Sequence, residues 1–216
     1  MSKVYVFNGL AARECVWSRC RFGRERIFSH LEQLDAVPES VLDNAGDMVL
    51  VGWSMGGSSA LRMALRYPGR IKGLVLLAAT ARMMADGEWR GMSKLRLNAF
   101  KCVMMMPREK DFFGGQGQSP DLYDLEDEVA LGRGLAYLEH TDIRNELRAA
   151  GAEGLFRFPV HIYQSERDGI VRPENAAFLR AIFPRAKFEM IPGSEHVLPL
   201  SIASRIDASV ASMSAD

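Results

Sequence analysis

The segment Gly52-Trp53-Ser54-Met55-Gly56-Gly57 places a serine between glycines two positions before and two after it. It follows a continuous apolar run, Asp47 to Trp53, that reads as a strand buried on both faces. A helix is expected after it over Ser58 to Arg66, with Ala60, Leu61, Ala64 and Leu65 on one face and Pro68-Gly69 closing it. A serine on a sharp turn between strand and helix projects its hydroxyl above the sheet. Such a turn crowds the flanking positions, and Gly52 and Gly56 avoid the clash because they lack Cβ. The following helix points its amide dipole at the site and favours a developing anion there. The competing reading is a Gly/Ser-rich turn that binds phosphate. No G-x-x-x-x-G-K-[ST] and no G-x-G-x-x-G occurs, so a nucleotide cradle lacks its main support.

A serine hydroxyl is a poor nucleophile without a base. There are four histidines: His30, His140, His161 and His196. His30 precedes the serine, His140 lies in an irregular middle stretch, and His161 is expected mid-strand, pointing into the packing. His196 follows an apolar strand and sits in a loop, Pro192 to His196, before the final helix. The order nucleophile, acid, histidine then requires an acid between them. Asp168 heads a turn after the strand ending at Gln164, and Glu166 competes with it. Asp168 would hold the imidazole tautomer and stabilise the imidazolium. An oxyanion needs preorganised N–H donors. The candidates are the backbone N–H of Met55, just after the nucleophile, and that of Leu10, in the loop Asn8-Gly9-Leu10 after the first strand. Gly9 and Trp53, at two strand ends, are the candidate substrate-binding positions.

Strands positioning these residues are expected over Lys3 to Phe7, Asp47 to Trp53, Ile71 to Ala79, Pro159 to Gln164 and Ala186 to Ile191. Helices fall between them, one opened by Pro173 and a last one carrying Ile202, Ile206 and Val210. Alternating strands and helices predict an α/β fold, a mostly parallel sheet covered on both faces, with its site at the carboxyl ends of the strands. Residues 80–152 break the rhythm and are expected to form a short helical cap over a core made of 1–79 and 153–216. Within this insertion, Arg82 to Lys110 holds seven basic and three acidic residues, and Asp111 to Glu128 holds six acidic residues and no basic ones. Met83, Met84 and Met104 to Met106 are candidate linings of an adaptable acyl channel.

The 216 residues suit one domain with a sizeable core. Lys+Arg and Asp+Glu both number 27, which gives no reason to expect nucleic-acid or membrane attraction. Cys15, Cys20 and Cys102 form neither a disulfide framework nor a zinc pattern, and they read as free thiols. No run reaches the length of a membrane span, and the first apolar run is too short for a signal peptide. A cytoplasmic location is expected, with no metal and no organic cofactor.

These residues resemble the α/β-hydrolase superfamily, and most closely the carboxylesterase family of biotin synthesis, which demethylates pimeloyl-acyl-carrier-protein methyl ester. The matching stretches are NGLAARECVW, VGWSMGGSSALRMALRYPGRIKGLVLLAAT, DGEWRGM, GLAYLEHTDIRNELR, DGIV and EHVLPL. DGEW and GLAYLEHTDIR are the discriminating ones, since the serine turn fits many esterases and lipases. The resemblance implies Ser54 as nucleophile, Asp168 as acid, His196 as base, and Leu10 with Met55 as oxyanion donors. It implies an acyl-carrier protein as partner, docked by basic cap residues, and Arg82, Arg90, Lys94, Arg96, Lys101, Arg108 and Lys110 offer such charges. The sequence departs from the family at Asn8-Gly9, where His-Gly is usual, and its middle stretch from Phe100 to Glu128 is short. The alternatives are a general small-molecule esterase or thioesterase of the same fold and a non-catalytic ligand-binding module that keeps it. A perhydrolase or C–C bond hydrolase has no feature in its favour.

Overall fold

The computed structural model describes residues 2–104, 120–125, 127–194 and 196–214, with the backbone alone at 103, 104 and 120. Six strands form one sheet in the order β2-β1-β3-β4-β5-β6: β1 Lys3–Phe7, β2 Arg26–Phe28, β3 Met48–Trp53, β4 Ile71–Leu77, β5 Val160–Ser165 and β6 Lys187–Ile191. Every pairing is parallel. The helices are α1 His30–Leu34, α2 Val37–Leu42, α3 Met55–Arg66, α4 Lys94–Met104, α5 Glu128–His140, α6 Arg144–Ala152, α7 Ala176–Ile182, α8 Leu198–Ser201 and α9 Ala203–Ser214.

Strand alternation divides the core in two. Val4, Val6, Val49, Val51, Val75 and Leu77 face one layer, which contains Ile206 and Val210 of α9 together with Leu97, Leu131 and Leu135 of α4 and α5. Tyr5, Phe7, Met48, Leu50, Leu74 and Leu76 face the other, with Ala60, Leu61 and Ala64 of α3, Leu147 of α6 and Leu179 of α7. Cover on both faces is why β3 reads as an unbroken apolar run, and all six of its residues are buried.

The chain reverses its direction of travel across the sheet at β1. From β1 it steps outward to β2, then crosses back to β3 on the other side. The loops leaving β1 and β3 therefore diverge and open a crevice at their carboxyl ends. The register Phe7↔Gly52 places Asn8 and the following loop beside Ser54.

Several details differ from the sequence reading, among them β6, read as an apolar strand but largely exposed at the sheet edge. β2 was not expected, being only three residues at the sheet edge with a charged start. α3 begins at Met55 rather than Ser58, because packing overrides the poor helix propensity of Gly56-Gly57. β4 stops at Leu77, where Ala78 takes φ 44°. The last helix is broken at Ile202, which caps α8 before α9 starts. Two other features agree with it: His161 is buried, its Nδ1 2.7 Å from Ser209 Oγ, and the three cysteines are free.

Burial holds the His30 and His161 imidazoles below their ordinary value of 6.5; Lys187 adds to this at His161, while a hydrogen bond to the Ala130 backbone and then Asp124 and Asp127 partly oppose it at His30. Below about pH 6.5 the unfolded chain then takes up more protons than the folded one, and stability falls. The urea midpoint should therefore drop between pH 7.5 and pH 5.5. The step should flatten in the His30→Gln, His161→Gln double variant, and an equal step in both proteins would contradict this reading.

Candidate active site

The site begins where α3 meets the sheet. A Cβ on Gly56 would lie 2.0 Å from the Phe7 carbonyl oxygen, and one on Gly52 would lie 2.6 Å from the Gly56 oxygen. Only glycine permits these approaches. The tight junction forces Ser54 to φ 57° and ψ −123°, a strained conformation for a residue with a side chain. The Ser54 N–H donates to Leu77 O at 3.0 Å, which ties the turn to β4.

Ser54 Oγ lies 2.8 Å from His196 Nε2. His196 Nδ1 lies 2.9 Å from Asp168 Oδ2 and 3.1 Å from Oδ1. A carboxylate only accepts, so Nδ1 carries the proton and Nε2 is left to accept the serine O–H. All three residues are buried, at 7%, 4% and 4% exposure. Asp168 is fixed in turn: its Oδ1 accepts from Ile170 N–H at 2.8 Å and Val171 N–H at 2.9 Å, and its Oδ2 accepts from Gln164 Nε2 at 3.3 Å.

The acid and histidine loops are stitched to each other. Glu166 N–H donates to Ile191 O at 3.1 Å, Ser165 Oγ donates to Ser194 O, and Glu166 Oε2 accepts from Gly193 N–H at 3.2 Å. Glu166 is thus occupied at the loop, and among the described residues Asp168 is the carboxylate on His196. Trp53 Nε1 donates to His196 O at 2.9 Å, and the two rings lie 5.5 Å apart. Met55 opens α3, where first-turn N–H groups have no acceptor within the helix.

A cavity of about 30 Å³ adjoins Ser54 and His196. Gly9, Leu10 and Trp53 line it, as do Met83, Met92, Leu97, Phe100 and Leu138. Met83 is therefore at the pocket, Met84 is buried in the adjoining core, and the Met104 to Met106 side chains lie outside the described residues. Tyr123 also lines it, and burial first, then the nearby Asp168, pushes its hydroxyl pKa well up. Sequence reasoning missed Tyr123 and Gln164. Gln164 had a signal, a buried amide at the end of β5, while Tyr123 stands in irregular chain with none.

DGEW and TDIR meet at the base of the insertion. Arg82 Nη1 donates to Asp142 at 2.7 Å, Arg144 Nε donates to Asp142 at 2.9 Å, and Arg144 Nη2 donates to Asp86 at 2.5 Å. The Arg144 guanidinium also lies over the Trp89 ring at 5.1 Å. Bonds from Arg144 and then Arg82 hold the Asp142 carboxyl well below the usual carboxylate range. Of the basic block, Arg82 is tied into this clasp, Lys101 pairs with Glu139 at 2.5 Å, and Arg96 donates to Gly169 O at 2.5 Å. Arg108 and Lys110 lie outside the described residues.

The chain as a whole is similar to known proteins. The model of the alpha/beta hydrolase family matches residues 6–206. A pimeloyl-[acyl-carrier protein] methyl ester esterase of Nitrosospira multiformis is 28% identical over 182 residues, 76% of this chain and 67% of that protein. One of Yersinia enterocolitica is 26% identical over 193 residues, 81% of this chain and 72% of its own length. Among solved structures, an esterase from Exiguobacterium antarcticum superposes with a TM-score of 0.75 at 16% identity, covering 100% of this chain and 92% of that one. A bromoperoxidase from Bacillus anthracis gives a TM-score of 0.72 at 18% identity, covering 100% and 93%. The two structures share the fold with this chain. No helix among the described residues is long and apolar enough to cross a membrane.

Losses at different points along the hydrogen-bonded line should be unequal. Turnover of p-nitrophenyl acetate should fall about 10⁶-fold in His196→Ala and about 10⁴-fold in Asp168→Asn. Glu166→Gln should stay within about tenfold of the unmodified protein, since its carboxylate only braces a loop. A Glu166→Gln loss as deep as that of Asp168→Asn would reassign the acid.

Proposed function

This chain belongs to the alpha/beta hydrolase family, and from that premise we propose that it is a serine carboxyl-ester hydrolase with Ser54 as nucleophile, His196 as general base and Asp168 as its orienting acid. The observation that carries the reading is the continuous line Ser54 Oγ, His196 Nε2, His196 Nδ1, Asp168, with contacts of 2.8 and 2.9 Å.

Ser54 Oγ attacks the ester carbonyl carbon as His196 Nε2 takes its proton. The carbonyl π pair moves to oxygen, and the N–H groups of Leu10 and Met55 stabilise the resulting oxyanion. The oxyanion collapses, the acyl C–O bond breaks, and His196 returns its proton to the departing alcohol. Water then attacks the acyl-serine carbonyl carbon and gives a proton to His196; the acyl C–Oγ bond breaks, His196 returns that proton to Ser54 Oγ, and the carboxylic acid leaves. Every proton in this sequence moves through His196.

The substrate we infer is a methyl ester on an acyl chain held by a carrier protein, pimeloyl-carrier methyl ester in biotin synthesis, with methanol as the leaving alcohol. Two observations support it. The relatives are named for that activity, and the segments on which the sequence resemblance rests, DGEW and GLAYLEHTDIR, meet here in one clasp. The pocket's apolar wall suits a hydrocarbon chain, with Gly9 and Trp53 beside the ester. A cavity of about 30 Å³ holds no more than a water or two, so Phe100 and the methionines must shift to admit the chain. We infer that the described part of residues 80–152 acts as the cap that does so. The carrier would meet Arg90 and Lys94, since Arg82 and Lys101 are already paired within the chain.

The test is methyl-ester hydrolysis of pimeloyl-carrier protein against free monomethyl pimelate, with Ser54→Ala alongside. The reading predicts a preference for the carrier-bound ester that disappears in the variant. Equal serine-dependent rates on both would leave a general esterase. No cleavage of either would favour a non-catalytic binding module.

A further inference from the structure

Asn8 stands at the carboxyl end of β1 and is 1% exposed. A carboxamide buried this deeply needs partners for its oxygen and its amino group. Its Oδ1 accepts from Gly9 N–H at 3.1 Å and from Trp17 Nε1–H at 3.1 Å, and its Nδ2 donates to Ala12 O at 2.7 Å. Those partners fix which way the amide faces, because both groups at Oδ1 are donors and the group at Nδ2 is a carbonyl. The loop closes on itself as well: Ala12 N–H donates to Gly9 O at 3.3 Å, and Ala11 takes φ 52°. Gln33 Nε2 holds the Asn8 carbonyl at 2.9 Å. Residues 8–12 are thus wound around one side chain, which is itself anchored to a fully buried indole.

This winding decides which amide remains free. The Gly9 N–H is consumed by Asn8. Among the described residues no hydrogen bond uses the Leu10 N–H, and Leu10 lines the pocket with Ser54. Gly9 has little room to rotate, since a Cβ there would touch the Trp53 ring at 3.0 Å.

We propose that Asn8 is the positioning residue of the oxyanion hole, binding the Gly9 N–H and pinning the loop to Trp17 so that the Leu10 N–H is presented at Ser54. The inference rests on the reading of Ser54 as nucleophile. Asn8 touches no substrate and acts only through Leu10. The loss should therefore appear where charge develops on the substrate oxygen, and not in ground-state binding or in the titration of His196.

Asn8→Ala and Trp17→Phe test it, with p-nitrophenyl acetate as substrate and active sites counted by titration to completion with a p-nitrophenyl phosphonate. For Asn8→Ala, kcat per titrated site should fall about tenfold to a hundredfold. KM should stay within about twofold, and the acid limb of the pH profile should keep its midpoint. Affinity for a trifluoromethyl ketone, which forms an oxyanion on the serine, should fall by the same factor as kcat/KM. Trp17→Phe keeps the ring and removes one donor. It should show a smaller loss of the same kind, and it carries the test if the alanine variant does not fold. Fewer titratable sites with unchanged kcat per site would overturn the proposal and leave Asn8 a folding residue. Full activity in Ser54→Ala would sink the serine reading instead, whatever Asn8 does.

Discussion

The close approach of α3 to the ends of β1 and β3 is the constraint on which the rest depends. The Gly56 position lies so near the Phe7 carbonyl that any side chain would be driven into the backbone. That contact sets the angle at which the helix leaves the sheet, and the angle forces Ser54 into positive φ. Strain of this kind costs about 1–3 kcal/mol and persists only where the surroundings over-determine it. Here the Ser54 N–H bond to β4, the glycine contacts and the buried helix face do so together. The same junction brings Ser54 to the wall of one small, mostly apolar pocket.

The remaining groups reach that pocket from separate strands, and each arrives on a loop held by other loops. Asp168 accepts bonds from three residues besides His196, the histidine loop is cross-tied to the acid loop, and Trp53 holds the His196 carbonyl. The loop after β1 is wound around Asn8. Fixed geometry is what an oxyanion site requires, because donors that need not reorganise stabilise charge as it forms. The pocket's other wall is made by Met83, Met92 and Phe100, side chains of adaptable shape.

Much of this was legible in the sequence because the physics is local. Continuous apolar runs gave the central strands, and the spacing Gly52, Ser54, Gly56 gave the turn. The order of Ser54, Asp168 and His196 gave three groups that the fold does bring into contact. What escaped notice depends on tertiary context. The edge strand Arg26–Phe28 is too short and too polar at its start to carry a period. α3 starts three residues earlier than propensity allows, because two glycines in its first turn are there for close packing. Asn8 could be seen as a departure from the usual His-Gly, but its three hydrogen bonds involve Trp17, nine positions away, and a loop conformation with no sequence signature. The basic block read as a docking face from charge alone, yet Arg82 is spent on Asp142 from across the insertion.

The central claim, that Ser54 is a nucleophile activated through His196, is tested most directly by covalent trapping. The protein would be treated with a fluorophosphonate at neutral pH, digested, and mapped by mass spectrometry beside His196→Ala. The account predicts one stoichiometric adduct, on the peptide containing Ser54, formed far more slowly in the variant. An unlabelled Ser54, or labelling that proceeds equally fast without His196, would contradict it.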